Sequence, residues 1–112
     1  MDVQTVESGS ITILTLAGSI LGGPDATVLN EQINALLEKG KCKIVLNLGG
    51  VETMNSSGLG MLIRSLTAIT NAGGKLKLAS ASSKIQNLLT MTKLTSLFEH
   101  YPTVQKAVDS FS

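Results

Sequence analysis

Residues 43–79 read KIVLNLGGVETMNSSGLGMLIRSLTAITNAGGKLKLA, and the change of period along them decides the fold. In Lys43–Leu48 four of six residues are apolar without clean alternation. A strand buried on both faces has this composition, and Gly49-Gly50 is the expected end of it. A helix is expected from Ser56 or Ser57, because Leu59, Leu62, Ile63, Leu66 and Ile69 recur on one helical face. Gly73-Gly74 stops that helix and Leu76–Ala79 returns as a strand. A strand, a helix and a second strand in this order imply a parallel pair with the helix laid over it.

The same alternation extends toward the N-terminus. Ile11–Ala17 is β-branched and apolar and reads as a strand. Val3–Val6 is a shorter strand that pairs with it through the Gly9-Ser10 turn. Gly18 to Asp25 is expected to be loop, with Gly22-Gly23-Pro24 as its breaker. Asp25–Lys39 is expected to be a helix with Asp25 as N-cap, Gly40 as C′ residue, and Leu29, Ile33, Leu36 and Leu37 on one face.

Toward the C-terminus, Ser82-Ser83 open a short helix carrying Ile85, Leu88, Leu89 and Met91. Leu97–Tyr101 is a last short strand, and Pro102-Thr103 start a helix with Val104, Ala107, Val108 and Phe111 on one face. The order is β-β-α-β-α-β-α-β-α. It predicts an α/β fold, a mostly parallel mixed sheet with about four helices, in one domain over residues 1–112.

Composition narrows the function. The 112 residues are 43% apolar and 3% aromatic, with a net charge of +1. That balance gives no electrostatic reason to expect nucleic acid as a direct partner. The three aromatics, Phe98, Tyr101 and Phe111, form no base-stacking platform. No apolar run reaches the ~18 residues a spanning helix needs, and no signal-peptide pattern opens the chain. The expectation is a cytoplasmic protein without membrane insertion, and a monomer is the simplest state.

Catalytic signatures are missing too. One cysteine, Cys42, and one histidine, His100, cannot build a structural zinc site of the usual composition. Cys42 is expected to be a small buried side chain and His100 a surface or half-buried one. There is no nucleophile elbow and no phosphate loop. Gly73-Gly74-Lys75 follows a helix and reads as its stop. The carboxylates fall on expected loops and polar faces, with no pair placed for acid–base work. The chain is therefore read as a non-enzyme with no cofactor.

The informative segment is Met54-Asn55-Ser56-Ser57-Gly58-Leu59-Gly60. It joins the central strand to its helix at the carboxyl edge of the sheet, where parallel sheets carry their function. The plain reading of a serine here is a helix cap, worth ~1 kcal/mol. The functional reading is a phosphorylation site, since a helix N-terminus tolerates the charge of about −1.5 to −2 that a phosphate brings. Gly58 and Gly60 then keep the surface low. Helical phase puts Leu59 in the core and leaves Met61 as the exposed apolar contact.

These residues resemble a known family. The strand at Ile44–Leu48, the segment MNSSGLGML at Met54–Leu62, the turn and strand GGKLKL at Gly73–Leu78, and the tail at Leu88–Phe98 and Ala107–Phe111 are similar to the STAS domain of bacterial anti-sigma factor antagonists. The resemblance covers nearly the whole chain. It implies a partner switch: an anti-sigma factor that is also a serine kinase phosphorylates the first serine of the signature, here Ser56. The phosphorylated antagonist lets the kinase go, the kinase sequesters its sigma factor, and a serine phosphatase reverses the mark. On this reading Asn55, Ser57, Gly58, Gly60, Met61 and Asp25 belong to the partner-binding surface.

Two departures bear on the transfer. The acidic residue before the serines is Asn55 here, which keeps size and hydrogen bonding but not charge. Leu21 stands where the family often has an acid, with Asp25 as the candidate substitute further along. They motivate an alternative: a STAS module that never switches, a standing subunit of a lipid-transport or signalling-scaffold complex.

Overall fold

Ser8 and Ile11 face each other across the Gly9-Ser10 turn, closing β1 (Asp2–Ser8) onto β2 (Ile11–Ile20) as an antiparallel hairpin. The structure is a computed structural model and describes residues 1–111. After the hairpin follow α1 (Pro24–Glu38), β3 (Lys43–Met54), α2 (Ser56–Asn71), β4 (Lys75–Ala79), α3 (Ser83–Met91), β5 (Glu99–Tyr101) and α4 (Val104–Asp109). The sheet order is β1-β2-β3-β4-β5, and every pair after the hairpin is parallel. The mixed α/β fold anticipated from the sequence is the one observed.

Because the parallel strands are added one after another in the same direction, right-handed crossovers put α1, α2 and α3 on one face of the sheet. Leu14, Leu16, Ile44, Leu46, Leu48, Leu76 and Leu78 point to that face and pack on Leu29 and Ile33 of α1, Leu62 and Ile69 of α2, and Ile85 and Leu89 of α3. The opposite face carries Ile11, Ile13, Val45 and Ala79, covered by α4 through Ala107 with Val104, Val108 and Phe111 at the margin. A helix of six residues is too short to hold itself together. Its second anchor is Lys77, 4% exposed, whose Nζ donates to the Ser110 carbonyl at 3.2 Å and to Ser110 Oγ at 2.7 Å, and lies 4.3 Å from the Phe111 ring centre.

Several boundaries differ from the sequence expectation. Gly49-Gly50 does not end β3, which runs on to Met54, and β2 correspondingly continues past Ala17 to Ile20. The register shows why: Thr15 faces Asn47 but Ala17 faces Gly50, and Gly18 faces Val51 but Ser19 faces Thr53. β3 thus holds one extra residue at each of two bulges, and the pair keeps going instead of turning. Asp25 is not the cap of α1. Gly23 holds that position and Pro24 takes the first helical residue, which its fixed φ suits, so Asp25 falls in the first turn. Cys42 is half-buried just ahead of β3, and Met91 is exposed at the end of α3.

Candidate functional site

The extension of β2 and β3 beyond β4 lifts the β3–α2 junction to the carboxyl edge of the sheet, beside the turn that leads into α1. Asn55 is the N-cap of α2, in extended conformation. Its Oδ1 accepts the Gly58 N–H at 2.9 Å, and its Nδ2 donates to the Leu21 carbonyl at 3.3 Å. The Asn55 N–H donates to the Ile20 carbonyl at 3.3 Å. One residue therefore caps the helix and ties it to the chain leaving β2.

This arrangement removes the plain reading of the serine pair. Ser56 and Ser57 are the first two residues of α2, both exposed, and neither hydroxyl forms a hydrogen bond among the described residues. The cap belongs to Asn55, so the serine hydroxyls are not held by the helix they begin.

Gly58 and Met61 do not lie on this surface. A Cβ at Gly58 would sit 2.3 Å from the Ile20 carbonyl oxygen and 2.8 Å from Met54 Cγ, so Gly58 is the point of closest approach between α2 and the sheet. Met61, expected to be exposed, is 2% exposed. The buried arc of α2 comprises Gly58, Leu59, Met61, Leu62, Ser65 and Ile69, while Ile63 and Leu66 are only partly buried. Small residues draw one side of the helix inward, and Ser65 tolerates burial because its Oγ donates to the Met61 carbonyl at 2.9 Å. Leu59 is core, as its phase predicts.

The apolar side chain exposed beside the serines is Leu21, at 51%. The next residue, Gly22, has φ +82°, and a Cβ there would lie 2.6 Å from Ser57 Cβ. Only glycine fits so tight a turn against the serine. Gly22, Gly23 and Ala26 on one side, and Ser56, Ser57, Gly60 and Arg64 on the other, line a cleft of about 300 Å³. Asp25 does not line it. That residue is half-buried in α1, with Oδ1 3.6 Å from the Met1 amino group. The sequence reading omitted Arg64. Its position seven residues after Ser57, two helical turns along, is the signal that places it on the same side of α2.

A sequence model of the STAS domain matches residues 2–107. The chain is 34% identical over 73 residues to a Thermotoga maritima protein provisionally named an anti-sigma factor antagonist, and the match spans 65% of this chain and 65% of that relative. A crystal structure of a Thermotoga maritima protein with the same provisional name superposes with a TM-score of 0.87 at 26% identity, covering 96% of this chain and 92% of that one. The Bacillus cell fate determinant SpoIIAA, solved in its phosphorylated form, superposes with a TM-score of 0.75 over 99% of this chain and 100% of that one. At 17% identity, that likeness is one of fold.

Proposed function

The chain belongs to the STAS domain family, and we propose that it is an anti-sigma factor antagonist whose hold on an anti-sigma serine kinase is released by phosphorylation of Ser56. The reading rests on Ser56 itself: an exposed hydroxyl at the first position of α2, left without a hydrogen bond among the described residues because Asn55 supplies the cap. A kinase reaches such a hydroxyl without unfolding the helix, and the phosphate sits at the positive end of α2. The names of the Thermotoga relatives support the antagonist role, and SpoIIAA is a protein of this fold that exists in a phosphorylated form.

In this mechanism the chain is a phosphoacceptor and a binding module, not a catalyst. The kinase docks on the edge formed by the serine pair, the open cleft over Gly60 and the exposed Leu21 side chain. A phosphate adds about two negative charges and its own bulk in that cleft. Close packing of the partner is then lost while the fold stands. A serine phosphatase restores the binding form.

The test is to isolate the protein from its own cells and map phosphate across Met54–Gly60 by mass spectrometry, then to compare kinase binding by the two forms. Phosphate on Ser56 together with weakened binding is the expected result. Absence of phosphate through growth and stress, or equal binding by both forms, would sink the switch and leave a standing subunit as the better reading.

A further inference from the structure

The geometry points to Arg64 as the group that receives the phosphate on Ser56, an inference that rests on the phosphoacceptor reading above. The cleft has the serine pair at one end and Arg64 at the other, and among the described residues no carboxylate lines it. Arg64 is the only arginine in the chain. It is exposed, and among the described residues its guanidinium has no ion-pair partner.

The path between the two groups is open. Ser56, Gly60 and Arg64 follow one another at intervals of four residues along α2. Helical side chains lean toward the N-terminus, so the Arg64 stem runs back over the turn that contains Gly60. A Cβ at Gly60 would meet nothing within 4 Å, and glycine there leaves that space to the arginine. At ~1.5 Å per residue, Ser56 and Arg64 are about 12 Å apart along the axis. Ser56 and Arg64 line the same cleft, and the arginine stem carries its charge back along it toward a phosphate there.

The chemistry favours capture. A guanidinium presents a planar fork of N–H donors that matches phosphate oxygens, where an ammonium offers only a point charge. Phosphorylation then does two things at once. It fills the cleft, and it neutralises the one cation that lines it among the described residues. Arg64 thereby becomes unavailable to an acidic group on the partner.

The experiment installs phosphoserine at position 56 during translation, so that no kinase is needed. The second ionisation of the phosphate, ordinarily near pH ~6, is followed by ³¹P NMR in the parent and in R64Q and R64K. The parent is expected to titrate about half a unit or more below R64Q at low salt, with R64K between them and the gap narrowing as salt rises. Phosphoserine at Ser83, the first residue of α3, provides a helix terminus outside the cleft that Arg64 lines. R64Q is expected to leave that titration unchanged. Identical titrations of the Ser56 phosphate in the parent and R64Q would overturn the inference, as would an equal shift at Ser83. Absence of phosphate in cells overturns the switch but not this titration. Identical titrations leave the switch standing, with the partner alone reading the phosphate.

Discussion

The side chain of Asn55 hydrogen-bonds the backbone of Leu21: Nδ2 donates to the Leu21 carbonyl at 3.3 Å while Oδ1 accepts the Gly58 N–H at 2.9 Å. An amide performs both tasks because it carries a donor and an acceptor. A carboxylate caps equally well and has nothing to donate. Asparagine before the serines therefore has a structural role of its own, fastening the exit of β2 to the start of α2.

Asn55→Ala is expected to lower stability by about 1–2 kcal/mol through loss of the cap and the Leu21 contact. Asn55→Asp keeps the cap and is expected to lose less, about 1 kcal/mol or under. Ser56→Ala removes a hydroxyl with no partner among the described residues and should change stability by less than about 0.5 kcal/mol. Urea unfolding of the three variants checks the order. A loss at Ser56→Ala as large as at Asn55→Ala would move the cap back to the serine.

The two glycines of the signature should respond oppositely. Gly58→Ala forces a methyl against the Ile20 carbonyl and is expected to destabilise by about 1–3 kcal/mol as α2 is pushed off the sheet. Gly60→Ala meets open space and is expected to stabilise the helix by up to about 1 kcal/mol. Thermal melts separate them at once, since the shifts have opposite sign. Under the proposed function, Gly60→Ala should still weaken kinase binding by crowding the cleft.

Lys77 tests how α4 is held. Lys77→Met keeps most of the buried stem and removes a charge that needed Ser110 and the Phe111 ring around it. Its stability should stay within about 1 kcal/mol of the parent, because apolar replacement of a buried, partnered charge is often close to neutral. Lys77→Ala empties the same space and should lose about 2 kcal/mol or more. Hydrogen exchange in Val104–Asp109 should rise in the alanine variant before it rises in α2.

His100 makes stability depend on pH. Its Nε2 is buried without a hydrogen-bond partner among the described residues, and burial pulls the pKa below the ordinary 6.5. The folded state therefore holds the ring neutral where the unfolded chain already takes a proton. The contribution is complete above about pH 6.5 and is lost as pH falls below that value. Denaturant unfolding between pH 7.5 and about 5 should show a steeper loss for the parent than for His100→Gln. Parallel curves would remove His100 from the account.

Much of this protein was determined within single segments of its sequence. The alternation of strands and helices, the inward stripe of Leu59, Leu62 and Ile69, and the caps at Ser82 and Thr103 follow from patterns a few residues long. The signature around Ser56 is equally local. These features depend on periods of 2 and 3.6 and on the polar groups of one turn, so they are legible without knowing the neighbours.

Only tertiary structure decided the rest. Gly49-Gly50 reads as a stop, but pairing with β2 carries β3 through it by two bulges. Met61 has the phase of an exposed residue, but Gly58 and Ser65 are small and draw that side of α2 inward. Lys77 alternates outward from the main core, but α4 returns from far along the chain to cover it. The cleft joining Ser56 to Arg64 exists because Gly22 and Gly23 turn against α2. In each case the deciding contact lies across elements, and hydrophobic periodicity within one segment does not register what another segment brings against it.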